Sequence, residues 1–136
     1  MIKVIYGRKG SGKTKRIIDM ANLAVKENDG DLVFVDDDNR YMFDLRHEIR
    51  FVNATEYNVS SPDMFLGFLS GIIASNYDMG MLFVDGFLRL VNARLAELGT
   101  FFAQLESLAD KHNLTVVISC SGEPDAAPDF LTPYII

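Results

Sequence analysis

A chain of 136 residues, 49% apolar and 24% charged, has the size and composition of one globular domain and is too short for two of ordinary size. No low-complexity or Pro/Ser-rich stretch suggests a linker, so a single domain spanning 1–136 is expected. The net charge of −6 argues against general nucleic-acid binding, which depends on clustered Lys and Arg.

Met1 to Tyr6 runs directly into a glycine loop and cannot supply the apolar segment and cleavage site of a signal peptide. Ile2 to Tyr6 reads instead as a short buried parallel strand. Lys9, Lys13, Lys15 and Arg16 gather just after it, whereas Lys111 is the only Lys or Arg beyond Arg94. Helical spacing follows in Ile17, Ala21 and Ala24, and in Ile18 and Val25, with Asn28-Asp29-Gly30 as a stop. Leu32 to Val35 predicts a second buried strand, closed by Asp36-Asp37-Asp38-Asn39. Arg40 to Glu48 fits a short helix, and Ile49 to Val52 a strand near the sheet edge.

Ser60-Ser61-Pro62-Asp63 predicts a helix start, with the proline in the first turn, and the apolar stretch beyond it predicts a buried helix ending near Asn76. Its apolar core, Met64 to Ala74, is well below the roughly 20 residues that span a bilayer. No membrane association and a cytoplasmic location are therefore expected. The lone cysteine, Cys120, which has no internal disulfide partner, agrees with a reducing compartment.

Met81 to Val84 is a third strand, ending in Asp85-Gly86. Leu88, Val91, Leu95 and Leu98 mark one helical face, and Phe101, Leu105 and Leu108 another after Gly99, which fits two helices or one kinked at Gly99. Leu114 to Ile118 predicts a fourth clear strand, leading into Ser119-Cys120-Ser121-Gly122, and Tyr134 to Ile136 a short last one. Alternating strands and helices imply a three-layer α/β/α fold around a mainly parallel sheet of five or six strands.

Gly7-Arg8-Lys9-Gly10-Ser11-Gly12-Lys13-Thr14 satisfies G-x-x-x-x-G-K-[ST] in full. The spacing has a physical basis. Gly7, Gly10 and Gly12 let the backbone wrap a phosphate so that the N–H groups of Lys9, Ser11 and their neighbours point inward, and the helix starting near Gly12 adds its unpaired amides and dipole. Lys13 would reach the β- and γ-phosphates, and Thr14 would place its hydroxyl on Mg2+. The strand before the motif and the amphipathic helix after it supply the context such a loop requires.

With these features the chain resembles the P-loop NTPase superfamily. Met81-Leu82-Phe83-Val84-Asp85 is similar to a Walker B strand, which implies that Asp85 joins Thr14 at the metal; the alternative is that Asp85 caps the next helix, and the two roles can coexist. The stretch from Asp85 to Ser121 resembles the RecA-like, additional-strand division. That likeness implies a strand inserted between the P-loop strand and the Walker B strand, with Ser119 or Ser121 as a polar sensor. Gly86 departs from it, because a catalytic Glu often stands there. Enzymes of the RecA type can carry that carboxylate after the second strand instead, which makes Asp36 or Asp37 the candidate for positioning water beside the catalytic Lys13. A solvated acidic loop is the alternative.

Arg40, Arg89 and Arg94 are the arginines near these elements, and none is identifiable as a cis arginine finger. His47 and His112 lack metal-ligand spacing, and Cys120 lacks an activating base. The expectation is an Mg2+- and ATP-binding protein with weak ATPase activity, or with activity that depends on a protein partner or a second copy supplying an arginine. ATP is favoured over GTP because no guanine-specificity motif follows Asp85. The alternatives are a non-catalytic module whose contacts respond to nucleotide and a small-molecule kinase, the latter lacking an arginine-bearing lid. The chain is also similar to short bacterial P-loop proteins of unassigned function.

Overall fold

The four clear apolar runs at Ile2, Leu32, Met81 and Leu114 become strands, and the helices between them pack on the resulting sheet. The computed structural model describes residues 1–28 and 30–136, so Asp29 of the expected stop lies outside the described residues. In chain order the elements are β1 (Ile2–Gly7), α1 (Lys13–Glu27), β2 (Asp31–Asp36), β3 (Ile49–Asn53), α2 (Pro62–Ser75), β4 (Met79–Val84), α3 (Phe87–Val91), α4 (Gly99–Lys111) and β5 (Thr115–Ser121). The five strands form one sheet in the order β1-β5-β4-β2-β3, and every pairing is parallel. The fold is α/β, with helices on both faces, because parallel strands need crossover connections that cover the sheet. β5, last in sequence, lies between β1 and β4.

Two apolar layers divide the core. On one face α1 lays Ile17, Ile18, Ala21 and Ala24 over Ile5, Phe34, Phe83 and Val117. Phe34 is flanked there by Phe51 and Phe83, with ring centroids 6.3 and 6.2 Å away. On the other face α2, α3 and α4 cover Val4, Val35, Val84 and Ile118. An aromatic cluster binds those helices together: Phe87 is 5.3 Å from Phe101 and 5.7 Å from Phe102, in the offset and edge-on arrangements aromatic rings prefer.

The helix start at Ser61 is as expected: its side chain accepts from the Met64 N–H at 3.2 Å, and Pro62 fills the first helical turn. β3 is an edge strand. Between β2 and β3 the chain makes only a 3-10 turn, Met42–Asp44. The Leu88 to Leu98 spacing does not form one helix. α3 ends at Asn92, which adopts the left-handed conformation with φ 50°, and a 3-10 turn at Leu95–Glu97 intervenes before α4 begins at Gly99. Gly99 thus opens a helix and is not a kink within one.

Tyr134 to Ile136 is not a strand. A 3-10 turn at Thr132–Tyr134 occupies the segment, leaving a single bridge between Ile135 and Val4 on the free side of β1. Pro133 has no N–H to offer a ladder, which limits the pairing to that point. Among the described residues no helix is long and apolar enough to cross a membrane.

Candidate functional site

Sheet register brings three polar residues of distant sequence together. Val35, Val84 and Ile118 lie abreast in β2, β4 and β5. The next residue of each strand is Asp36, Asp85 and Ser119, and the period of two turns all three toward the face that carries Phe34, Phe83 and Val117. That face is the one α1 covers. All three are buried, the only polar or charged residues so classed among the described ones.

Thr14, in the first turn of α1, reaches this row: its hydroxyl donates to Asp85 Oδ2 at 2.9 Å. Ser119 donates to the other carboxyl oxygen, Oδ1, so Asp85 is clasped from both sides. α1 itself begins unusually. Its N-cap is Gly12, left-handed with φ 89°, no side chain caps it, and its first turn contains no acidic residue. By contrast α2 carries both a serine cap and Asp63. The first amides of α1 are therefore left for an outside acceptor, with the positive end of the dipole behind them. Gly10 is also left-handed, φ 80°, a conformation that costs other residues about 1–2 kcal/mol.

A cleft of about 690 Å3 opens over this arrangement. Lys9, Gly10, Gly12, Lys13 and Thr14 line it, as do Asp37 and Arg89, with the buried Asp85 and Ser119 as its floor. Ser11 lies outside it, in a smaller pocket of about 340 Å3 with Gly7, Arg8, Arg16 and Pro124. Lys13 folds back to donate from Nζ to the Arg8 carbonyl at 2.7 Å. Burial lowers its pKa from the ordinary lysine value, Asp85 opposes that, and the positive charge of Arg89 adds to the lowering.

The acidic run at the end of β2 divides into three different environments, although carboxylate oxygens of Asp36, Asp37 and Asp38 lie within 4.8 Å of one another. Asp36 is 2% exposed; its Oδ1 accepts from the Asp37 N–H at 2.7 Å and its Oδ2 has no partner. Burial, with the neighbouring Asp37 and Asp85, pushes its pKa up to about 8. It does not line the cleft. Burial alone would also raise Asp37, but the Arg89 guanidinium bonded to it outweighs burial and holds Asp37 below the usual carboxylate range. Arg89 grips it with two bonds, from Nε at 2.5 Å and Nη2 at 3.2 Å. Asp38 accepts from the Arg40 N–H at 2.9 Å and lies 3.5 Å from its guanidinium. One neutral acid and two arginine-paired ones thus avoid the mutual repulsion that three free carboxylates would suffer.

Sequence reasoning missed the Asp37–Arg89 pair, and with it the reason for Gly86. A Cβ at Gly86, where φ is 68°, would stand 2.5 Å from Asp37 Oδ1 and 3.1 Å from Arg89 Nη2. Glycine here makes room for the ion pair. Arg40 and Tyr41 also line the cleft, and their guanidinium and ring lie 5.8 Å apart. Of the remaining residues singled out, His47 and His112 are exposed, Ser121 lines the cleft and Cys120 is buried. Arg94 pairs with Glu97 away from the cleft.

No protein-family model matches the chain, and no curated protein matches it. What it does must be read from the site's own chemistry.

Proposed function

We propose that the chain is a member of the P-loop NTPase superfamily, of the RecA-like, additional-strand division, that binds Mg2+ and ATP and turns the nucleotide over weakly or only with a partner. The observation that carries this reading is the Thr14–Asp85 hydrogen bond of 2.9 Å on the floor of a cleft walled by an uncapped helix N-terminus and Lys13. The position of β5 between β1 and β4 supports the division.

The donors around Asp85 suit magnesium: Thr14, Asp85 and Ser119 offer only oxygen, the ligand type a hard divalent cation takes. Thr14 and Asp85 would hold the ion, which when bound neutralises charge on the β- and γ-phosphates. Lys13 would leave the Arg8 carbonyl for the phosphate oxygens, and the first amides of α1 would donate to them. Asp37 is the better candidate for orienting water, because it lines the cleft and is ionised, whereas Asp36 lies outside it and stays neutral up to about pH 8.

The same geometry favours low turnover. In the resting arrangement Asp37 is held by Arg89, and Arg40 pairs with Asp38. A partner or a second copy would supply an arginine that is not paired in this way. Engagement of Asp37 and Asp38 by arginines also favours the second reading, a non-catalytic module that senses nucleotide.

Thermal unfolding with Mg2+ and ATP, ADP or GTP tests the reading. A ligand at a hundredfold its Kd adds about 2.7 kcal/mol, several degrees for a domain of this size. Wild type should gain that with ATP; Lys13→Ala should lose most of it, and Asp85→Asn the part that depends on magnesium. If millimolar nucleotide leaves the wild-type midpoint unmoved, the chain does not bind nucleotide.

A further inference from the structure

The Asp37–Arg89 pair borders the same cleft as the phosphate loop, and nothing in the P-loop pattern calls for it. Its two halves are unequally buried: the Asp37 side chain is 14% exposed, whereas that of Arg89 is 65% exposed. The carboxylate is fixed by its surroundings and the guanidinium is held at one end only. Arg89 belongs to α3, which starts two residues after Asp85, so its stem is anchored beside the floor of the site while its head borders the open cleft. Its positive charge lowers the pKa of Lys13, and Asp85 in turn raises that of Arg89.

We propose that Arg89 is the residue by which this site distinguishes a terminal phosphate: it rests on Asp37 when that phosphate is absent and transfers its two-pronged donor face to the phosphate oxygens when it is present. The inference depends on the nucleotide reading above. A phosphate oxygen pair matches the guanidinium fork as well as a carboxylate does, so one set of two hydrogen bonds is exchanged for another of the same kind. Being mostly solvated, the guanidinium itself gives up little on leaving, and the cost of the exchange falls on the largely buried Asp37 carboxylate, which loses its partner. The transfer also frees Asp37, which lines the cleft, at the moment when the terminal phosphate occupies it. Arg89 is thus a positioning residue for the nucleotide and, through Asp37, a gate on water orientation. A diphosphate, lacking the terminal group, leaves the pair closed.

Gly86 is the structural requirement for this arrangement, because any side chain there would collide with the resting pair. Competition between Asp37 and phosphate makes a distinctive demand on the two single variants. Removing Arg89 should weaken the triphosphate, and neutralising Asp37 should strengthen it.

Titration calorimetry of the full chain with Mg2+ and either a non-hydrolysable ATP analogue or ADP reads this out for wild type, Arg89→Gln, Arg89→Lys and Asp37→Asn. Arg89→Gln should weaken the analogue about tenfold to a hundredfold, the worth of a charge-assisted contact, and ADP less than about threefold. Arg89→Lys should recover part of the loss. Asp37→Asn should tighten the analogue several-fold without changing ADP. Equal loss of both ligands in Arg89→Gln, or a weaker analogue in Asp37→Asn, overturns the proposal while leaving nucleotide binding intact. Failure of wild type to bind either ligand overturns the nucleotide reading itself, and this inference with it. Melting temperatures of the ligand-free variants, measured alongside, separate misfolding from lost contacts, and the exposed Arg89 makes its glutamine variant the safer of the set.

Discussion

Asp36 accepts a hydrogen bond from the N–H of Asp37 at 2.7 Å, yet its second carboxyl oxygen is buried without a partner. Burial raises its pKa from 3.8 to about 8 in the folded protein. Between those values the unfolded chain releases a proton that the native state keeps, so stability contributed by the neutral acid is full below about pH 4 and is lost as pH rises through about 8. Asp37 acts in the opposite sense, because its pKa is lowered and its contribution disappears only in acid. Wild type should therefore lose melting temperature between about pH 5 and about pH 8.5, and Asp36→Asn should flatten that decline. Parallel curves for the two proteins across that range would rule out the buried neutral acid.

Ser119 and Asp85 are 5% and 6% exposed, so the hydroxyl is the donor Asp85 Oδ1 has in place of water. Ser119→Ala should destabilise the fold by about 1–3 kcal/mol, the cost of a buried acceptor left unsatisfied. Ser119→Thr, which keeps the hydroxyl, should recover much of it. Urea denaturation of the three proteins gives the comparison, and equal midpoints for Ser119→Ala and wild type would mean that Asp85 does not depend on this bond.

How far the chain disclosed its own site follows from the range of each interaction. Gly7 to Thr14 is contiguous and flanked by β1 and α1, so composition and order alone mark it. Asp85 is legible because four apolar residues before it predict a strand that must end near the same edge. The roles of Asp36 and Asp37 are not legible. They are adjacent and chemically identical, and only the register of β2 against β4 decides which turns inward. The Asp37–Arg89 pair joins residues 52 positions apart, and depends on β2 lying beside β4, a neighbour relation that no local pattern encodes. Leu88 to Leu98 misled for the complementary reason: helical spacing survived across Asn92, where a left-handed backbone ends α3.

Cys120 is 1% exposed and burial pushes its pKa up to about 12. Both effects suppress the thiolate, the reactive form. A disulfide reagent at neutral pH should therefore leave the native protein unmodified over the time in which it titrates one thiol per chain after denaturation. Rapid reaction of the folded protein would require a thiol far more accessible than this one.

Glycines of this chain divide into those that need the absence of a side chain and those that do not. In α2, Gly67 and Gly71 are exposed, and an added Cβ would meet nothing within 4 Å. Alanine there should stabilise the protein by roughly 0.5–1 kcal/mol each, by restricting the unfolded chain and favouring helix. Gly10 is different: space is open around it, but φ is 80°, so alanine should cost about 1–2 kcal/mol in backbone strain alone. Gly86 combines a φ of 68° with the 2.5 Å approach to Asp37, and should cost more than Gly10, on the order of 2–4 kcal/mol, because strain and collision add. The collision part of that cost can be isolated. Adding Asp37→Ala to Gly86→Ala removes the atom struck and should cost less than the two single changes summed, a coupling measurable by a double-mutant cycle in urea. Simple additivity would mean that Gly86 is set by its backbone angle and not by the ion pair beside it.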